Sequence, residues 1–222
     1  VRDAFGGERE LSSDYYLTTT ALAKGVHEYQ YSLGFRRVAV GEKSWDYRTP
    51  VALARHRVGV SDTLTVGGRF EAHPGRLFSA GPSFNIRLPL GEIETAAAVS
   101  RRRGEWGSAA LVGFSRIGRV FSAGGNVTVS SRQYATLTPA ITGQEPAIQA
   151  NAFASTSVGG QVTVTAQHTM TKLHQGLTRS RTGLLSTIRL TRTMDLTASV
   201  SRVSDGRGSG RDRGIVRHIG IV

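Results

Sequence analysis

The stretch VHEYQYSLGFRRVAVGEKSWDYRTPVALARHRVGVSDTLTVGGRFEA, residues 26–72, decides the fold of this chain. Between Glu28 and Arg36 every second residue is apolar, and the same alternation returns between Thr63 and Phe70. A period of two places apolar and polar side chains on opposite faces of a β-strand. The segment Gly59-Val60-Ser61-Asp62 precedes the last run, and glycine and aspartate are typical of tight turns. The stretch therefore predicts antiparallel strands joined by a hairpin.

The composition excludes a helical membrane protein and leaves a membrane β-barrel open. Of 222 residues, 39% are apolar and 7% are aromatic, and glycine occurs 27 times. No run approaches the roughly 18 apolar residues that a spanning helix needs, whereas a barrel strand needs only about 9–11 residues with one polar face. A mean hydropathy of −0.19 is ordinary for such a barrel.

The net charge of +12 raises the question of a nucleic-acid partner. The arginines, however, are spread singly along the strand-like runs, and only Lys24, Lys43 and Lys172 are lysines. Nucleic-acid-binding domains usually gather their basic residues on one helix or patch. We therefore predict no nucleic-acid partner and interpret the charge as solvated polar surface.

From residue 51 onward, the sequence pattern predicts one hairpin after another, with no helical period between the strands. We predict about 11 strands after the lead-in, since strand-like runs recur at roughly 12-residue spacing. The runs after the first strand are 51–60, 63–72, 76–88, 92–101, 106–116, 119–131, 147–158, 161–171, 182–192 and 194–203. Residues 132–146 are a candidate surface loop, and the segment between 171 and 182 is a second predicted loop. The Gly/Arg-rich tail, residues 204–222, fits no alternating strand and is predicted to be irregular, as an out-of-frame or truncated end that is not native to the barrel sequence.

Two phrases in this pattern resemble the barrel of outer-membrane fimbrial ushers, the pores of the chaperone–usher pathway. Lys24-Gly25-Val26-His27-Glu28-Tyr29 resembles the phrase at the strand that follows the usher plug domain, with Val26 in place of the usual leucine. Arg57-x-Gly59-Val60-Ser61-Asp62-x-Leu64-Thr65-x-Gly67-Gly68 resembles the hairpin that comes next. The resemblance is specific over residues 1–140, thinner from 141 to about 200, and absent after that.

The resemblance implies an all-β fold, an antiparallel meander forming part of a larger transmembrane β-barrel. Residues 1–25 would be the end of the plug domain and its linker, 26–203 the partial barrel, and 204–222 the tail. It also implies an internal fragment of a non-enzymatic secretion and assembly pore in the bacterial outer membrane. The partners would be pilus subunits, periplasmic chaperone–subunit complexes and outer-membrane lipid, and no cofactor would be needed.

Strand alternation and the resemblance together predict which residues line the lumen and which meet lipid. The predicted lumen-facing residues are Glu28, Gln30, Arg36, Arg69, Glu92 and Glu94. The predicted lipid-facing residues are Leu33, Phe35, Leu64, Val66, Phe70, Ile93 and Val99. Polar lumen residues would let folded subunits slide past without an apolar surface to hold them.

No catalytic or metal-binding motif is visible in the sequence. The six histidines are dispersed, there is no cysteine, and the glycine pairs lack the strand–loop–helix context of a phosphate site. Two alternatives to the usher remain open. One is another outer-membrane barrel, such as a porin or an autotransporter translocator, and the other is a soluble basic β-sandwich that binds polyanions.

Overall fold

The computed structural model describes residues 20–37, 47–137, 145–191, 194–207 and 210–221, with the backbone alone described at 36–37, 47–48, 207 and 210–221. Every regular element in these residues is a β-strand. None of the described residues belongs to a helix long and apolar enough to cross a membrane. Residues 1–25 were predicted to be the end of a plug domain and its linker. Of these, residues 1–19 lie outside the described part of the chain.

Twelve strands form one sheet, and each is hydrogen-bonded to its neighbours in chain order. The strands are β1 His27–Arg37, β2 Tyr47–Gly59, β3 Leu64–His73, β4 Leu77–Leu88, β5 Gly91–Arg102, β6 Glu105–Arg116, β7 Phe121–Ser130, β8 Pro146–Val158, β9 Val162–Leu173, β10 Leu177–Arg189, β11 Asp195–Arg207 and β12 Gly210–Ile221. All pairings are antiparallel. The predicted all-β antiparallel meander is thus confirmed. In the described residues β1 and β12 are not paired with each other, so the sheet is open.

Tight turns join most neighbouring strands, and their residues explain the fold locally. The predicted hairpin of β2 and β3 is present, with Val58 opposite Val66. The β8–β9 turn contains Gly159 and Gly160 at φ 60° and 69°, and the β5–β6 turn contains Arg103 and Gly104 at φ 51° and 92°. Two successive positive φ values match the right-handed twist of the flanking strands, and glycine adopts them without steric cost.

The antiparallel register assigns every strand residue to one of two faces, because cross-strand partners project to the same side. One face, which we call the apolar face, contains Val66, Phe84, Thr95, Val112 and Val127 as successive partners across β3 to β7. The opposite face, which we call the polar face, contains Thr65, Asn85, Glu94, Gly113 and Asn126 along the neighbouring row. The sheet is therefore two-sided across β3 to β7.

Two sequence predictions about strand limits are wrong. The loop predicted between 171 and 182 is mostly strand, since β9 reaches Leu173 and β10 begins at Leu177. The prediction missed this part of β10 because polar residues such as Arg179 and Arg181 interrupt the apolar alternation, although their backbone still pairs with β9.

The predicted irregular tail also differs from the structure. Strand β11 continues to Arg207, and β12 pairs with it from Gly210 to Ile221. The β-branched residues Ile215, Val216 and Ile219 favour an extended backbone, and the edge of β11 supplies hydrogen-bond partners that local sequence cannot reveal. Nothing in the structure bears on the origin of this segment.

Candidate functional site: the polar face of the sheet

The apolar face is uncovered in the described part of the chain. Leu33 is 89% exposed, and large apolar side chains remain exposed on this face from β1 to β11. The exposed ones include Tyr29, Tyr31, Phe35, Phe70, Phe78, Phe84, Ile86, Val99, Val112, Phe114, Val127, Val129, Leu184 and Val200. A single soluble layer would leave this surface in water, where apolar area is unfavourable by roughly 25 cal/mol per Å².

Burial is instead concentrated on the polar face. The buried polar and charged side chains there are Arg57, Thr65, Glu71, His73, Ser79, Asn85, Glu94, Ser100 and Ser201. Side chains crowd together on the concave side of a curved sheet and spread apart on its convex side. The burial pattern therefore indicates that the sheet curves toward its polar face.

Arg57 is the centre of the largest network on this face. Its side chain is 2% exposed, and Nη1 donates to Glu28 Oε2 at 2.9 Å across the β1–β2 pair. Its Nη2 donates to Asn85 Oδ1 at 3.2 Å and to the Thr20 carbonyl at 2.9 Å. A second arginine, Arg55, reaches Glu28 at 3.6 Å. The network ties β1, β2 and β4 to the segment that precedes β1.

That preceding segment, residues 20–25, crosses the polar face at the end of the sheet that holds the β2–β3 turn. Arg87 Nη2 donates to the Ala21 carbonyl at 2.6 Å, and the Ala21 amide donates to Glu92 Oε2 at 3.0 Å. The Leu22 amide donates to Thr65 Oγ1 at 2.7 Å. Side chains of the sheet thus hold the backbone of this segment through its amide and carbonyl groups.

Residues of the β2–β3 turn also hydrogen-bond to this segment. The Lys24 amide donates to Asp62 Oδ1 at 3.1 Å, and the Gly25 amide donates to the Gly59 carbonyl at 2.8 Å. A Cβ on Gly59 would lie 2.1 Å from the Ala23 carbonyl oxygen. Because no side chain fits at that distance, the close approach requires glycine at this position.

A second segment, residues 131–137, folds onto the polar face at the opposite end of the sheet. The Leu137 amide donates to Glu71 Oε2 at 2.7 Å, and the Ala135 amide donates to Ser100 Oγ at 2.9 Å. Glu71 also pairs with Arg69. Residues 132–137 are the first described part of the predicted 132–146 surface loop, and they cover the polar face rather than projecting away from the sheet.

The described residues from the predicted lumen-facing set share the polar face. These are Glu28, Gln30, Arg69, Glu92 and Glu94. Arg36 lies in β1, but its side chain is outside the described part. The predicted lipid-facing residues Leu33, Phe35, Leu64, Val66, Phe70, Ile93 and Val99 all share the apolar face. Contact of either face with a lumen or with lipid stays a prediction.

Sequence reasoning missed the most connected residues of the site, Arg57, Arg87 and Glu71. Arg57 was visible only as part of a family-like phrase, and its burial depends on strands β1 and β4 and on Thr20. The period-two alternation was an available signal, since all three residues are at strand positions that face the polar side of the sheet. That signal assigns a face and cannot by itself indicate a partner.

Polar and aromatic groups mix at the margins of the apolar face. Tyr29 and Tyr31 stack with ring centroids 5.6 Å apart, and Tyr31 Oη lies 2.7 Å from His56 Nδ1. Toward the other end of the sheet, the Arg101 guanidinium lies 5.7 Å from the ring centroid of Trp106. Aromatic rings with polar partners are typical of the boundary between an apolar layer and water.

Comparison with known proteins leaves the family open. No protein-family model matches the chain. No curated protein matches it either. One similar chain comes from the solved structure described as "Unveiling the Mechanism Behind the in-meso Crystallization of Membrane Proteins"; the match covers 88% of this chain and 82% of that one, with 7% identity and a TM-score of 0.37. A TM-score of that size is too low for the likeness to bear on function.

Proposed function

We propose that this chain is part of the wall of an outer-membrane β-barrel, and that the barrel is a fimbrial usher. The observation that supports a barrel wall is the inverted burial of the sheet. Large apolar side chains are exposed on one face, while charged residues such as Arg57 and Glu94 are buried on the other. Lipid would cover the apolar face, and a water-filled lumen would solvate the polar face.

The backbone pattern fits the same environment. In lipid every backbone polar group needs a partner within the protein, and a sheet meets this need through its inter-strand hydrogen bonds. Ten of the described strands have neighbours on both sides, while β1 and β12 each have one edge with no strand partner among the described residues. In the proposed barrel those edges are paired with further wall strands.

Support for an usher comes from the two family-like phrases, which contact each other in the fold. The first phrase contributes the Lys24 and Gly25 amides, and the second contributes their acceptors, Asp62 Oδ1 and the Gly59 carbonyl. Gly59 is required by the close approach of Ala23. The phrases are thus one structural unit that holds residues 20–25 against the sheet.

In this proposal the chain is non-enzymatic and needs no cofactor. Pilus subunits delivered as periplasmic chaperone–subunit complexes polymerise by donor-strand exchange, in which one subunit's strand completes the fold of the next. The growing fibre passes the polar face, where charged and hydroxyl side chains leave less apolar area to retain it than the opposite face would. In this proposal, the chain itself contributes wall strands and the hydrogen bonds that hold residues 20–25 on the polar face.

Fractionation separates a membrane barrel from the soluble alternative. We expect the chain, expressed with an export signal, to sediment with outer membranes and to be released by detergent but not by high salt. Recovery in buffer without detergent, together with DNA binding that falls steeply with salt, would contradict the proposal and favour the polyanion-binding β-sandwich.

The flanking coding sequence separates an usher from other outer-membrane barrels. We expect it to encode a plug domain before this stretch, further wall strands after it, and periplasmic domains at both ends, beside genes for a chaperone and pilus subunits. A coding region that instead closes the barrel with a strand ending in an aromatic residue would favour a porin or an autotransporter translocator.

A further inference from the structure

Arginines without a carboxylate partner gather at one end of the sheet, in the β3–β4 and β5–β6 turns and the strand ends beside them. Residues 74–78 and 101–106 contain four arginines and one acid, all exposed: Arg76, Arg101, Arg102, Arg103 and Glu105. Among the described residues none of these arginines forms an ion pair. Four arginines against one glutamate leave an excess of three positive charges, which the sheet itself does not neutralise.

The strand register divides these residues between the two faces. Arg102 is opposite Glu105 on the polar face, whereas Arg101 is opposite Trp106 on the apolar face. The Arg101 guanidinium carbon lies 5.7 Å from the Trp106 ring centroid, and both side chains are exposed. An aromatic ring contacts the flat side of a guanidinium, while its five N–H donors lie in the plane. Arg101 is therefore oriented by the ring and keeps donors for an acceptor.

Arg101 lies at a margin of the apolar face. Across β3 to β7 the strand positions of this face include no carboxylate and two charged residues, Arg101 and Arg116. Trp106, the partner of Arg101, is ten residues from Arg116 on β6. Ten residues of a strand tilted by about 40° rise roughly 25 Å, which is the height of the apolar band of an outer-membrane barrel. In the proposed barrel Arg101 is thus at the level of the lipid headgroups.

The chemistry of this margin matches a phosphate group. A guanidinium contacts two phosphate oxygens at once through parallel N–H donors. Tryptophan is enriched at the same level of the membrane, because its ring is apolar and its N–H is polar. Neighbouring turns at one end of a meander are about 10 Å apart, close to the screening length in physiological salt, so Arg76 and Arg103 add to the positive potential at Arg101. Excess positive charge favours a lipid with net negative charge over a zwitterionic one.

We propose that Arg101 and Trp106, with Arg76 and Arg103 in the two turns beside them, form a binding site for the phosphate headgroup of an anionic lipid. The phosphate accepts hydrogen bonds from Arg101, and the Trp106 ring packs against the upper part of an acyl chain. This site rests on the proposed barrel wall, since lipid then reaches the apolar face. It does not depend on whether the barrel is an usher.

Quenching of Trp106 fluorescence by brominated lipids tests the proposal. The chain has two tryptophans, so Trp45→Phe, or Trp45→Tyr if phenylalanine impairs folding, leaves Trp106 as the single reporter. The full chain is reconstituted into vesicles of equal parts phosphatidylglycerol, which is anionic, and phosphatidylcholine, which is zwitterionic. One of the two lipids carries bromine atoms near the top of its acyl chains. We expect brominated phosphatidylglycerol to quench at least about twofold more strongly than brominated phosphatidylcholine, because basic residues attract anionic lipid.

Matched variants locate the site through the ratio of quenching by the two lipids. Arg101→Gln should bring this ratio close to one, whereas Arg101→Lys should retain part of the preference because the charge remains without the guanidinium fork. The control is Arg181→Gln on β10, which removes the same charge from the polar face, where Arg181 contacts Ser201. A full preference in Arg101→Gln, or an equal loss in Arg181→Gln, would show a general effect of charge and overturn the site.

The same measurement separates this inference from the proposed barrel. Equal quenching of the parent chain by both lipids would overturn the headgroup site and leave the barrel wall in place. Absence of quenching by either lipid would contradict the barrel wall and this site with it. Loss of the preference in sodium phosphate, but not in sodium chloride of equal ionic strength, would identify a free phosphate ion as the ligand and overturn the lipid assignment.

Discussion

At the scale of single residues, this chain reverses the burial order of a soluble protein. Leu33 is 89% exposed, while the Arg57 side chain is 2% exposed. Buried charges are unfavourable unless they are paired and hydrogen-bonded, and Arg57 has Glu28, Asn85 and a backbone carbonyl as partners. Exposed apolar residues have no such compensation within the described part of the chain, and in the proposed barrel lipid supplies it.

Adjacent residues on β7 test which solvent that is. Val127 is exposed on the apolar face, and Thr128 is on the polar face opposite Leu111. In lipid bilayers Val127→Arg should reduce the free energy of unfolding by about 2–4 kcal/mol, and Thr128→Arg by less than about 1 kcal/mol. Urea titrations of both variants in vesicles measure the difference. Equal losses would contradict lipid contact at Val127.

A double-mutant cycle tests the Arg57 network. We expect Glu28→Gln and Arg57→Met to be coupled by about 1–3 kcal/mol in the free energy of unfolding, because the pair is close and partly desolvated. The control is the exposed pair Arg189 and Asp195 at 3.7 Å, whose coupling should stay below about 1 kcal/mol. Similar coupling in both pairs would show that the buried network adds nothing.

At the scale of elements, glycines and crossing segments determine how the strands meet. A Cβ on Gly81 would lie 1.8 Å from the Ala97 carbonyl oxygen, where the β4–β5 ladder skips two residues. A Cβ on Gly68, which is opposite Pro82 across β3 and β4, would have the Gly81 carbonyl oxygen as its nearest atom, at an ordinary 3.6 Å. A side chain is therefore excluded by the neighbouring strand at Gly81, whereas at Gly68 there is room for one.

Alanine substitutions at these two positions test this difference through their effects on the free energy of unfolding. Gly81→Ala should destabilise the sheet by about 1–3 kcal/mol because β5 must shift. Gly68→Ala should be neutral or stabilising by up to about 1 kcal/mol, since it reduces the entropy of the unfolded chain without a clash. Equal effects in denaturant titrations would refute the close β4–β5 approach at Gly81.

Amide hydrogen exchange tests the hydrogen bonds that hold residues 20–25 on the sheet. Glu92→Gln should speed exchange at Ala21 by about tenfold or more, because a hydrogen bond to a charged acceptor contributes roughly 1.5–3 kcal/mol. Exchange at Leu22 should change much less, since its acceptor is Thr65 Oγ1. The complementary variant Thr65→Val should show the opposite pattern, and uniform changes at both amides would contradict separate anchors.

Elements were predictable from the sequence where alternation and turn residues agree. The β2–β3 hairpin and the Gly159–Gly160 turn are examples, because period and turn chemistry are local properties. Strand β10 was predicted to start too late, and β12 was not predicted at all. In both, pairing with an existing strand edge sustains an extended backbone that the local pattern does not favour.

The candidate site was less predictable than the fold. The face of each described lumen candidate follows from parity, so Glu92 and Glu94 were correctly expected to share a strand face. The crossing of the polar face by residues 20–25 and 131–137 depends on contacts such as Leu137 to Glu71, which are distant in sequence. No periodic signal encodes such contacts.

At the scale of the whole molecule, twelve strands form one open sheet with an apolar side and a polar side. A soluble protein of this kind would need a second layer over the apolar face, and the described residues supply none. The account therefore depends on one claim, which is that lipid covers the apolar face while water covers the polar face.

Spin labelling along β8 measures this claim most directly. The chain has no cysteine, so single cysteines can be introduced at each position from Ile148 to Ser157 without removing others. Even-numbered positions lie on the apolar face and odd-numbered positions on the polar face. In lipid bilayers we expect collision rates with oxygen to peak at the even positions and those with a water-soluble nickel complex to peak at the odd positions. Peaks that coincide, or nickel access at both parities, would contradict the account.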